Sequence, residues 1–162
     1  MHIKEYTMKP KYPGMKKDEC EVMDRFLAGE YLEGEYTYDV KLYKKKFVPL
    51  HGFGYNPLNM FFGAAKGDIQ ERIKKLDSML RDEAELFAKR IDAVVETPTE
   101  IWLLEVTPKL KKHVIGGVLF YRDLFMYQFE PTKLVRLGIV AGVDDPMAHY
   151  TLRKHDIKLW IV

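Results

Sequence analysis

A chain of 162 residues, 47% hydrophobic and 31% charged, has the makeup of a folded domain around one core and excludes a fibrous or low-complexity polymer. Its formal charge of +2 does not by itself demand a nucleic-acid partner, so any such surface has to come from local clustering. Cys20 is the single cysteine, which excludes an internal disulfide framework and a cysteine-based zinc site, and no stretch reaches the roughly 18 apolar residues of a membrane-spanning helix.

In chain order, residues 1–14 (MHIKEYTMKPKYPG) are rich in Pro and Lys, lack the apolar centre of a secretory signal, and read as an extended N-terminal arm. KKDECEVMDRFLAGE predicts a helix: Val22, Met23, Phe26 and Leu27 form an apolar stripe, acids occupy the first turns, and Gly29 follows the end. Glu35–Tyr43 alternates and is rich in β-formers, so a strand is expected there. Too much Gly, Pro and Asn for a regular element fills residues 47–67, which read as a long loop. Asp68–Lys89 has apolar residues at helical spacing and Asp68 as a candidate N-cap. Two apolar strands follow, Arg90–Glu96 and Ile101–Thr107. Then come a helix over LKKHVIGGVLFYRDLFMYQF, a buried strand in KLVRLGIVAG, a short helix in DDPMAHYTLRKHD with Pro146 in its first turn, and a strand in IKLWIV. Helices alternating with apolar strands imply the α/β class, with a mixed central sheet flanked by helices on both faces.

Each strand of the central pair carries one acid, Asp92 and Glu105. With residues 97–100 as a four-residue hairpin loop, Glu96 faces Ile101, and counting back puts Asp92 opposite Glu105. Directly opposed side chains have Cβ atoms roughly 5 Å apart. Two carboxylates so placed repel, and either one takes up a proton or both share a cation. Oxygen ligands at that separation suit Mg²⁺ or Mn²⁺. In the plainer alternative, Asp92 pairs with Arg90 or Lys89, and Glu105 with a lysine at the sheet edge.

RIDAVV, IWLLEVTPKL and GVLFYRDLF, taken in this order, resemble the PD-(D/E)XK nuclease superfamily: an Asp on one strand, Glu-x-Lys on the next, and Gln-x-x-x-Tyr on the following helix. KPKYPGMKKDECEVMDRFL and YTYDVKL extend the resemblance to small bacteriophage proteins of that superfamily. The resemblance implies a restriction-endonuclease-like core over residues 1–162, with residues 44–89 as an inserted loop plus long helix. It implies Asp92 and Glu105 as ligands of Mg²⁺ or Mn²⁺, joined by the carbonyl of Val106. The family's catalytic lysine falls on Thr107 and its glutamine on Gly117, while its tyrosine is kept as Tyr121. Lys109 stands two residues beyond the lysine position, after a Pro108 expected to interrupt the strand; Lys89, Lys111 and Lys112 are other candidates for a relocated ammonium. Loss of a preorganised charge costs several kcal/mol at a reacting phosphate. The expectation is therefore a degenerate nuclease fold in a virion or assembly component of a phage, for instance at the head–tail connection. Its partners would be other phage structural proteins or further copies of itself, its location the virion or the host cytoplasm, and its cofactor Mg²⁺ or Mn²⁺ if active and otherwise none. Two alternatives remain: a working Mg²⁺-dependent DNA nuclease, and a module that binds DNA without cutting it.

Other features have bland readings. Lys44–Lys46 and Lys109–Lys112, with His113 and Arg122, would form a phosphate-binding patch or simply solvated edges. The glycines of HGFGYNP lack the Lys-Ser/Thr of a phosphate-binding loop. His2, His51, His113, His149 and His155 show no metal-ligand spacing, and Phe120, Tyr121, Phe125 and Tyr127 read as core rather than as a base-stacking platform.

Overall fold

A computed structural model describes residues 12–42, 69–71, 73–74 and 89–162. Helix α1 spans Lys17–Ala28 and strand β1 spans Glu35–Leu42. Strands β2 (Lys89–Glu96) and β3 (Glu100–Lys109) follow, then helix α2 (Lys112–Phe129) and strand β4 (Leu134–Val143). A single 3-10 turn, Pro146–Ala148, leads into helix α3 (His149–Lys154) and strand β5 (Ile157–Ile161). The five strands form one sheet in the order β1-β2-β3-β4-β5. β1 pairs antiparallel with β2, and β2 with β3 across the short connection of residues 97–99, whereas β3, β4 and β5 are parallel, with α2 and α3 in the crossovers that parallel neighbours require. The α/β class and the mixed sheet flanked by helices are as expected. No described helix is long and apolar enough to cross a membrane.

The sheet is covered on both faces. Val22, Met23 and Phe26 of α1 pack on one side against Ala93, Val95, Leu104, Val106, Val140 and Trp160. Val114, Ile115, Val118, Phe125 and Phe129 of α2 pack on the other, against Val94, Ile101, Leu103, Leu137 and Ile139. Continuous burial of residues 137–141 in β4 explains why its sequence reads as an apolar run rather than an alternating pattern, while β3 buries Ile101, Leu103, Leu104 and Val106 with half-buried residues between them.

Strict alternation fails at one level of the sheet. Tyr36 and Tyr38 of β1 lie on the α1 side, yet Val40 and Leu42 belong to the core on the α2 side. β2 does the same, with Ala93 and Val95 on the α1 side and Ile91 on the α2 side. The pairs Tyr38↔Ala93 and Val40↔Ile91 flank the switch, and Asp39 between them takes a left-handed φ of 55°. An acidic residue tolerates that conformation better than a branched one. Both strands therefore change faces where Asp92 sits.

Several boundaries differ from the sequence expectation. Lys89 opens β2 rather than closing a helix, and of the Asp68–Lys89 segment the described residues 69–71 and 73–74 are helical. Asp68, Tyr43, the loop over 47–67, HGFGYNP, Lys44–Lys46 and the arm up to residue 11 lie outside the described residues. Pro108 does not interrupt β3. Thr107↔Ala141 and Lys109↔Val143 pair on either side of it, and β2 has already left the ladder at Ala93↔Leu104, so the missing N–H lies where β3 has a single neighbour.

Gly138 leaves room on the α1 face of the sheet for side chains of the flanking strands β3 and β5. A Cβ there would lie 2.5 Å from the Trp160 ring and 2.6 Å from Leu104. Gly138→Ala should therefore lower unfolding stability by about 1–3 kcal/mol, the usual cost of overpacking. Urea unfolding measures it, and an unshifted midpoint would show that this contact is looser than described.

Candidate acidic site

Asp92 reaches the site from the level where β1 and β2 switch faces, and Glu105 reaches it from β3. The observed register, Ala93↔Leu104 through Glu96↔Ile101, extrapolates to the expected Asp92–Glu105 opposition, although main-chain pairing stops one residue short of it. Instead the Asp92 carboxylate takes over the role of a strand neighbour: its Oδ2 accepts the Val106 N–H at 2.7 Å. Glu105 shares the face of Ile101 and Leu103, toward α2, and its Oε2 is buried with no hydrogen-bond partner among the described residues.

Burial raises both carboxyls, Asp92 to about 7 and Glu105 to about 9. Removal from water is the largest cause in each. At Asp92 the Val106 hydrogen bond opposes it, and the charges of Glu19 and Asp39 add to it. At Glu105 the Asp92 charge is the next cause, followed by Glu19. The two titrate as a pair, so the site keeps at least one proton near neutral pH unless a cation replaces it. Tyr121 of α2 faces the same acids: burial, then the charges of Glu105 and Asp92, raise its pKa, so it stays a neutral phenol able to donate a hydrogen bond.

The plainer expectation, an ion pair between Asp92 and Arg90 or Lys89, is not what the structure contains. Arg90 Nη1 is bound to Asp39, at 2.8 Å from Oδ1 and 2.7 Å from Oδ2, because the left-handed turn at Asp39 brings that carboxylate to it first. No described lysine or arginine pairs with Asp92 or Glu105.

The remaining expected residues divide. Thr107 follows Glu105 on the same face, but its hydroxyl donates to the Lys109 carbonyl at 2.9 Å and is turned along the strand. Lys109 is exposed at the end of β3, as are Lys89, Lys111, Lys112 and His113. Arg122 pairs with its neighbour Asp123 at 3.1 Å. Among the described residues, a Cβ at Gly117 would find only the Tyr121 ring, at 4.0 Å, and one at Gly116 would find nothing within 4 Å, so this turn of α2 offers no side chain of its own toward the acids. The aromatic residues of α2 are mixed in role: Phe125 is fully buried, whereas Phe120 is 52% exposed.

Sequence reading missed Glu19 and Asp39. Nothing in residue spacing connects Glu19 to the strands, since it stands in the first turn of α1 and its carboxylate accepts the Lys16 N–H at 2.7 Å. Asp39 had a weak signal, a polar residue interrupting the aromatic and branched residues of β1.

Among the described residues no group of three His, Cys, Asp or Glu side chains is placed to hold a metal ion. Two carboxylates with one free buried oxygen nevertheless fit an ion of the Mg²⁺ type, which keeps several waters and needs one or two acidic ligands. Comparison of the chain with protein-family models, curated proteins and solved structures finds no match to any of them.

The raised acids set the pH dependence of stability. Both native values lie above the ordinary ones, so between about pH 4 and about pH 9 the native state binds more protons than the unfolded chain, and stability falls as pH rises. Without divalent cations the melting temperature should be higher at pH 5 than at pH 8. Glu105→Gln, a neutral amide that spares folding the uptake of a proton, should raise stability at pH 8 by about 1–3 kcal/mol. Thermal melts across that range check both, and a profile that climbs from pH 5 to pH 8 contradicts the burial of the pair.

Proposed function

We propose that this chain has a restriction-endonuclease-like core of the PD-(D/E)XK kind, that its site has kept the acidic half and lost the cationic half, and that it serves as a non-catalytic component of a phage particle or of its assembly, for instance at the head–tail connection. The observation that carries this reading is at β3 and α2. Where the resemblance calls for an ammonium beside the acid pair there is a threonine whose hydroxyl is spent on the Lys109 carbonyl, and where it calls for a glutamine there is Gly117. Without a fixed positive charge at the reacting phosphate, several kcal/mol of transition-state stabilisation are missing. The phage assignment rests on the resemblance alone.

One observation favours a second reading, a working nuclease with a relocated lysine. Among the described residues, the buried Glu105 Oε2 has no hydrogen-bond partner and no cation offsets it, which is the condition of a ligand set. A divalent cation bound by Asp92 and Glu105 would supply charge neutralisation and a more acidic water. The chain's own contribution would be the Val106 N–H, which fixes Asp92, and the Tyr121 phenol beside the acids.

Incubation of the protein with plasmid and linear DNA in Mg²⁺ or Mn²⁺ separates the two. Non-catalytic service predicts no cleavage above background and unchanged assembly of Asp92→Asn and Glu105→Gln. Cleavage that both substitutions abolish overturns it in favour of the nuclease. Cation binding is read separately: a capable pair gives a rise in melting temperature at pH 8 on addition of Mn²⁺, absent in the Asp92→Asn, Glu105→Gln double variant.

A further inference from the structure

We infer that the outer edge of β5 is a self-pairing surface, on which a second copy of this chain docks its own β5 antiparallel about a two-fold axis at Leu159. The inference is independent of the acid pair and of any nuclease kinship.

β5 is the last strand of the sheet, and among the described residues no strand lies beyond it. The direction of its main-chain groups follows from one bond. Val162 N–H donates to the Ala141 carbonyl at 3.0 Å, so residue 162 points to β4. Main-chain groups alternate sides along a strand, and the pairing Leu137↔Ile157 through Ala141↔Ile161 is unbroken. Lys158 and Trp160 therefore face β4 with their N–H and C=O, whereas Ile157, Leu159 and Ile161 direct theirs outward. The opposite edge differs: side-chain amides of Gln70 and Gln128 donate to the β1 carbonyls of Glu35 and Lys41.

An edge whose centre is an outward-facing residue is complementary to itself. With Leu159 opposite its own copy, Ile157 stands opposite Ile161 and Lys158 opposite Trp160. No like charges are directly opposed, and apolar residues meet apolar ones. Lys158 already lies over the Trp160 ring in its own chain, with Nζ 4.8 Å from the centroid, so the pairing places it between two indoles. On the α3 side Leu152, Ile157, Leu159 and Ile161 form the apolar part of a hollow of about 330 Å³ along the edge, whose rest is lined by Asp144, His149 and Arg153, and the partner's Ile157 and Ile161 would extend the apolar part. Ile161 is 44% exposed, and Met147 and Tyr150, on the segment leading into β5, are 90% and 72% exposed, an apolar surplus that an open edge ordinarily avoids. Main-chain bonds give such pairing its affinity and alternate side chains its register.

Sedimentation of the full chain and a cross-link test this. Wild type should sediment as a dimer, and Leu159→Pro, which removes an outward N–H without taking one from β4, should be monomeric with the same far-UV dichroism. Hydrogen-bonded antiparallel partners have Cα atoms about 5.5 Å apart, within disulfide range. Leu159→Cys in a Cys20→Ser background should therefore form a covalent dimer on oxidation, whether or not the proline variant folds. A monomeric wild type at about 100 μM, well above the micromolar range of weak complexes, or a Leu159→Cys variant that stays uncross-linked, overturns the proposal. The former would leave the edge to a strand from a different protein.

Discussion

Two carboxylates at one desolvated spot organise the middle of this molecule. In an effective dielectric near 20, like charges about 5 Å apart repel by about 3 kcal/mol, before any cost of removing them from water. The chain meets that cost with local geometry instead of an ion pair. Asp92 ends the β2–β3 ladder and accepts the N–H of Val106, Arg90 is drawn away to Asp39, and Glu105 is left with a buried oxygen that nothing described satisfies. Such a pair is neutralised by a proton or by a cation from outside the chain. The face switch in β1 and β2 belongs to the same arrangement, because it puts Asp92 where one strand stops pairing and a side chain can take its place.

Legibility from sequence followed the strength of local patterns. Alternation and helical periodicity gave α1, β1, α2 and the β3–α2–β4–α3–β5 succession, because each buries a face that its residues advertise. The hairpin count brought Asp92 and Glu105 to one place, since a four-residue loop leaves little freedom of register. Pro108 misled because its effect depends on whether a strand lies alongside, which is a property of the neighbours and not of β3 itself. Arg90 misled for a similar reason: two acids, Asp39 and Asp92, compete for it, and a left-handed residue in β1 decides the outcome. Contacts carried by α1, such as the field of Glu19 on both acids, had no expression in spacing at all.

The two readings of the site share its acids and differ over its missing cation. A threonine bound to the strand's own carbonyl and a glycine in α2 stand where a cation and an amide would be needed, and among the described residues no fixed positive group replaces them. Assembly and catalysis would also use different parts of the sheet: the acids lie at its middle, near α2, whereas the open edge lies two strands away at β5.

The most direct measurement is a titration of the Asp92 and Glu105 side-chain carbons by nuclear magnetic resonance, in the absence and presence of Mg²⁺. Coupled burial predicts that in metal-free protein one proton remains on the pair at pH 7, with both carboxyls titrating well above the ordinary range. Two independent transitions near pH 4, the ordinary carboxylate value, would contradict it, and would mean that the acids neither share a site nor leave water.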